Sequence, residues 1–184
     1  MRKMMLIFAA AALTGCNSIV KTSAPADGFI TSLQQLCGKT FSGRLVTSDP
    51  ADRDIAGQHL SVGMVGCTHD GVIIPFSVGD NHSRNWHISR NKSGVQLKHV
   101  HRHDNGSEDK LSGYGGTTIG AGTSTRQEFP ADQYSKDLFL TNKLSQSVEN
   151  IWAVEIVSGK KFAYELRRTN RFFRVEFDLT STIP

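Results

Sequence analysis

The sequence predicts an all-β fold: an antiparallel meander of about ten strands, curled into a barrel, with one or two short helices. Two observations carry this. From Thr40 onward, short runs of alternating apolar and polar residues recur between Gly, Asn, Asp and Ser. When these runs are folded as successive hairpins, one face stays apolar throughout, as strand pairing requires, because a one-residue slip would invert every side chain.

The amino terminus stands apart. Arg2 and Lys3 precede an apolar run, Met4 to Leu13, too short for a hydrocarbon core that needs roughly 20 residues but suited to an export signal. The run ends in Leu13-Thr14-Gly15-Cys16, which resembles the lipobox of bacterial lipoproteins. That resemblance implies a diacylglyceryl thioether on Cys16 and cleavage before it, so residues 1–15 are expected to be a signal peptide. Asn17 is not the aspartate that retains enteric lipoproteins in the inner membrane, which favours the periplasmic side of the outer membrane. Residues 16–27 are small, polar and Pro-containing, and read as a tether. Residues 28–184 are then one domain.

Without the signal, 19 basic face 17 acidic residues, a net of +2. Charge so balanced and interleaved argues against a nucleic-acid face. No later segment is long and apolar enough to cross a membrane as a helix. The membrane partner expected is the one reached through Cys16; protein partners are not specified.

Along the chain, Gly28 to Cys37 can hold one short helix. Ten strand runs follow: 40–46, 59–66, 72–79, 84–90, 95–103, 108–116, 123–130, 147–157, 161–168 and 172–179, with a helix around 132–142. Pairing registers follow from the turns. A three-residue turn at His69-Asp70-Gly71, with Gly71 left-handed, pairs Met64 with Phe76. The next hairpin pairs Phe76 with Ile88 and Val78 with Trp86. Ile88 then faces Leu97, and Trp86 faces His99. An Asn105-Gly106 turn pairs Leu97 with Tyr114. Near the carboxyl end, Trp152 faces Leu166 and Val154 faces Tyr164; Leu166 in turn faces Phe173, and Phe162 faces Phe177. The first hairpin pairs Phe41 with Met64 and brings Cys37 close to Cys67. An oxidising compartment permits a disulfide there, although Cys67 has the opposite parity to Met64. Two unpaired small residues are the alternative.

Such a meander must close around its apolar face as a barrel or a sandwich. In architecture alone it resembles lipocalins and fatty-acid-binding proteins; no lipocalin motif is present.

The most unusual stretch is Lys98-His99-Val100-His101-Arg102-His103-Asp104. On a strand, its three histidines share one face, here the inner one. The same registers set Arg84 opposite His101 and Asp80 opposite Arg84. They also set Ser112 opposite His99, Lys110 opposite His101 and Glu108 opposite His103. One end of the interior would be polar, as in a pocket for a small amphiphilic or anionic ligand bound by Arg84, Trp86, His99, His101, Ser112 and Tyr114. Two further readings fit. His99, His101 and His103 with Glu108 could supply a metal site, since neighbouring i, i+2 histidines lie roughly 6.5–7 Å apart; Lys110 and Arg84 oppose it. The stretch could equally be a solvated polar rim. A Ser112–His99 nucleophile and base lacks the glycine pattern of a nucleophile elbow.

The runs KHVHRHDNGSED, YGG, RQEFPAD, IWAVEI, FAYELRR and FRVEFDL look similar to a group of uncharacterised secreted and lipoprotein sequences of Gram-negative bacteria. The similarity covers roughly residues 36–180 and implies location and folding unit, but no site and no cofactor. Haem-binding ten-stranded barrels would take a proximal histidine from a carboxyl-terminal strand, and no histidine follows His103. The function expected is a lipid-anchored envelope binding module. The alternatives are a structural or partner-binding envelope protein with a filled core, and a metal-binding protein or metal-dependent enzyme.

Overall fold

A computed structural model describes residues 24–184; the signal, the lipobox and Cys16 lie outside the described residues. A helix α1 (Pro25–Gln34) leads into β1 (Thr40–Leu45), β2 (Leu60–Gly63), β3 (Val65–Thr68), β4 (Gly71–Val78), β5 (Asn81–Asn91), β6 (Gly94–His101), β7 (Tyr114–Thr117) and β8 (Arg126–Pro130). A helix α2 (Gln133–Thr141) separates these from β9 (Ile151–Val157), β10 (Lys161–Arg168) and β11 (Arg171–Asp178). The tether expected to reach Asp27 is thus corrected: Pro25 opens α1, where its missing N–H costs nothing in a first turn.

All pairings are antiparallel, in the order β7-β6-β5-β4-β2-β1-β11-β10-β9-β8, with β3 also on β4. The first and last strands pair, Gly43 opposite Phe177, so the sheet curls into a nearly closed barrel. Its seam falls between the consecutive strands β7 and β8. There the Asp132 N–H donates to the Gly115 carbonyl at 2.9 Å, and the Gly115 N–H donates to Ser135 Oγ at 2.7 Å. A Cβ at Gly116 would overlap the Pro130 carbonyl, so glycine alone lets the two edges meet.

Three hairpins have the expected register: Trp86 opposite His99, Val154 opposite Tyr164, and Phe162 opposite Phe177. Each is closed by a short turn that fixes its pairing, such as Thr169-Asn170, where Asn170 takes φ 56°.

Four registers need correction. Val62, not Met64, faces Phe76, and Val62 also faces Phe41. Gly71 pairs with Thr68 across a two-residue His69-Asp70 turn and has no left-handed φ; the glycine that turns is Gly66, at φ 54°, in a bulge inside β3, while the second run divides at Met64 into β2 and β3. Trp86 faces Ile74, not Val78, and Arg84 faces Phe76, not Asp80. The tight turn at Gly79, φ 53°, starts β5 three residues earlier than expected and moves the hairpin by four. His99 faces Tyr114, not Ser112. Residues 108–113 are largely irregular, so Lys110 does not pair with His101, and Glu108 bridges Arg102 rather than His103. Apart from one-residue slips at the bulges near Gly66 and Gly79, every shift is even, and an even shift preserves which face a side chain takes.

Below the level of Trp86, the interior is packed. Leu60, Met64, Ile74, Ile88, Leu97, Val154 and Phe162 are buried, and Phe29, Ile30 and Leu33 of α1 close that end. Arg90, at the far end of β5, pairs with Asp27 of α1. Cys37 and Cys67 are disulfide-bonded with Cα atoms 6.3 Å apart, tying the α1–β1 connection to β3. Cys37 precedes β1, so strand parity does not constrain its side chain.

Outside β8 to β11, four cations and four carboxylates form one lattice. Glu165 takes Arg126 Nη2 at 2.6 Å and also Arg174, while Arg167 grips Glu128 at 2.6 and 2.8 Å. Lys161 joins Glu155 and Glu176, at 3.3 and 3.1 Å. These are outward positions of adjacent strands, where opposite charges stabilise the sheet. Among the described residues, no helix is long and apolar enough to cross a membrane.

Candidate binding site at the barrel mouth

The end opposite α1 is open. A cavity of about 370 Å³ is lined by Phe76, Arg84, Trp86, His99, His101 and Tyr114 from β4 to β7, and by Trp152, Tyr164, Leu166, Arg168, Arg171 and Phe173 from β9 to β11. Loops complete the wall: Asp52 and Ile55 between β1 and β2, Asp109 and Leu111 between β6 and β7, and Leu144, Ser147 and Asn150 after α2. That volume is near the lower end of the range of small-molecule pockets, roughly 300–1,000 Å³.

Strand alternation builds the floor. Trp86 and His99 are opposed inward residues of β5 and β6, and Trp152 and Tyr164 belong to the inward rows of β9 and β10. Trp86 lies between Phe76 and Tyr164, with ring centroids 4.8 and 4.2 Å apart, both stacked. His99 stacks on Tyr114 at 4.5 Å and leans on Trp152 at 5.0 Å.

His99 is 2% exposed, and both its ring nitrogens are committed. Nδ1 donates to the Tyr114 carbonyl at 3.2 Å, and Nε2 accepts the Tyr164 hydroxyl at 2.7 Å. The carbonyl partner fixes the Nδ1–H tautomer. Burial holds its pKa down at about 3, against the pull of the carbonyl. His99 is therefore neutral at pH 7. His101 is also lowered, by partial burial and then by Arg84, with Asp109 opposing. Burial pushes Tyr114 up to about 12 and Tyr164 well above the usual phenol value.

Around this neutral floor stand charged groups. Arg171 grips Asp52 with both terminal nitrogens and reaches Asp49 at 3.2 Å. Arg168 donates to Asn150 Oδ1 at 3.0 Å. Arg84 Nη1 is buried without a hydrogen-bond partner among the described residues.

Of the residues expected to bind ligand, Arg84, Trp86, His99, His101 and Tyr114 are brought together in this cavity. Ser112 is not: it is buried behind the wall, where its Oγ accepts the His101 N–H at 3.1 Å. That bond, with both His99 nitrogens occupied, leaves no Ser112–His99 pair. The metal set is dispersed. His103 is exposed, with Nε2 3.6 Å from Asp109, and Glu108 is 3.9 Å from Arg102. Among the described residues, no group of three or more His, Cys, Asp or Glu converges on a point that could hold a metal ion.

Sequence reasoning missed Asp52, Trp152, Tyr164, Arg168 and Arg171 as wall residues. The Arg167-Arg168-Thr169-Asn170-Arg171 turn was a usable signal, since three arginines around one hairpin tip mark a charged end of the barrel. Comparison with protein-family models, curated proteins and solved structures finds no match, so the functional reading of this chain rests on the geometry of its mouth.

Proposed function

We propose that this chain is a lipid-anchored binding module of the cell envelope that takes a small amphiphilic or anionic molecule into the barrel mouth. The observation that carries the reading is the combination of an aromatic-lined cavity with a buried guanidinium nitrogen of Arg84 that has no hydrogen-bond partner among the described residues. A buried charged donor without a partner is costly, and an anionic group in the bowl would relieve that cost.

The anchor rests on the sequence, from the basic n-region to Cys16. The barrel suits it: α1, the element next to the tether, closes the end opposite the mouth. A module tethered there presents its bowl away from the attachment.

Two measurements test this. Native mass spectrometry of the full-length protein, extracted in detergent, is expected to show a one-to-one small-molecule adduct that is depleted in Arg84→Gln. Bare lipidated polypeptide in both proteins would favour a structural envelope protein instead. Globomycin is expected to accumulate an uncleaved, lipid-modified precursor, and normal processing in its presence would remove the anchor.

A further inference from the structure

The shape of the bowl restricts its occupant. Its lining stops at Trp86, His99, Trp152 and Tyr164. Beneath them Ile74, Ile88, Leu97, Val154 and Phe162 fill the barrel. An extended alkyl chain therefore finds no shaft to enter.

The walls favour a flat body. Tyr114 is 5.7 Å from Trp152 and 5.3 Å from Phe139, both tilted, and it carries His99 stacked against it. Tyr114, the partly exposed member of this group, is the ring left to meet another aromatic ring, and such pairs favour tilted or offset geometry.

The charges favour one anion. Three arginines, Arg84, Arg168 and Arg171, and two aspartates, Asp52 and Asp109, line the cavity, leaving one positive charge. Arg171 is taken by Asp49 and Asp52. Asp109 accepts the Leu111 N–H at 2.7 Å and lies beside His103. The partner of Arg168 is a neutral amide. Arg84 has no carboxylate partner among the described residues, and its planar fork matches a carboxylate.

Resting on the binding reading above, we infer that the mouth selects a compact aromatic or heteroaromatic carboxylate, with its anion on Arg84 and its ring against the His99–Tyr114–Trp152 wall. Long-chain acids are excluded by the packed interior.

Calorimetry on the full-length protein in detergent tests this with naphthalene-2-carboxylate, naphthalene-2-methanol and hexadecanoate. The carboxylate is expected to bind one-to-one. The neutral alcohol, and the carboxylate on Arg84→Gln, should bind at least tenfold more weakly, while Arg84→Lys keeps part of the affinity and shows that the site still folds. Hexadecanoate should show only partition into micelles. Saturable one-to-one hexadecanoate binding without naphthoate binding would overturn the aromatic class and leave the binding reading standing. Equal binding of alcohol and carboxylate, unchanged in Arg84→Gln, would overturn the anion. No saturable binding of any probe overturns the inference, and the native mass spectrum then decides separately whether the mouth binds anything.

Discussion

Tyr164 donates its hydroxyl proton to Nε2 of His99 at 2.7 Å, across the barrel interior from β10 to β6. These strands are not neighbours in the sheet, so the bond ties opposite walls together beneath the bowl. Tyr164→Phe leaves a buried imidazole nitrogen without its donor. It is expected to cost about 1–3 kcal/mol in stability, measured by denaturant unfolding. An unchanged midpoint would mean that the tie carries nothing.

His99 also predicts a pH dependence. Its unfolded pKa is near 6.5 and its folded value about 3, so between these the unfolded chain binds the extra proton. Its contribution is fully present above pH 6.5 and is lost as pH falls toward 3. His87 and His101 are lowered too and act in the same direction. Unfolding free energy should therefore decline from pH 7 to pH 5, and His99→Gln should flatten that decline by close to one proton. Equal slopes in the two proteins would show that His99 titrates normally.

The outer lattice predicts a second, more acidic loss. Arg167 holds the Glu128 carboxyl at about 2, and the carboxyls of Glu155, Glu165 and Glu176 are also held low by their arginines and Lys161, against burial. Depressed carboxyls contribute stability above about pH 4.5, lost as pH falls toward 2. Glu165→Gln, at a side chain 8% exposed, is expected to cost about 2 kcal/mol, between values typical of surface and buried pairs. Thermal melts at pH 7 in low and high salt check this.

The disulfide closes a separation of 30 residues. Cys37→Ala with Cys67→Ala should lower stability by about 3–4 kcal/mol on the chain-entropy estimate, without changing ligand affinity at the opposite end. Melting with and without reductant, beside a binding isotherm, separates the two effects.

Much of the barrel was legible because inside and outside follow a period of two. Phe76, Trp86 and Phe162 were assigned to the correct face even where their partners were misjudged. Pairing depends on the turns. The two-residue turn at Thr169-Asn170 was read correctly, whereas at Gly79 a long loop was assumed where a left-handed glycine makes a tight one. The site was partly legible for the same reason. Arg84, Trp86, His99 and His101 sit on one hairpin whose register was evident. Asp52, Arg168 and Arg171 meet only because β1 pairs with β11, a long-range closure that no local pattern announces.

The bowl itself is tested most directly by filling it. Ser147 lines the cavity from the segment after α2, and Ser147→Phe places a ring in that space. Both tryptophans of the chain, Trp86 and Trp152, face the bowl, so their emission reports its occupancy. With naphthalene-2-carboxylate, the wild type is expected to give a saturable emission change that weakens at least tenfold in Ser147→Phe, with melting temperature kept within a few degrees. An identical titration in both proteins would place the ligand somewhere other than the mouth.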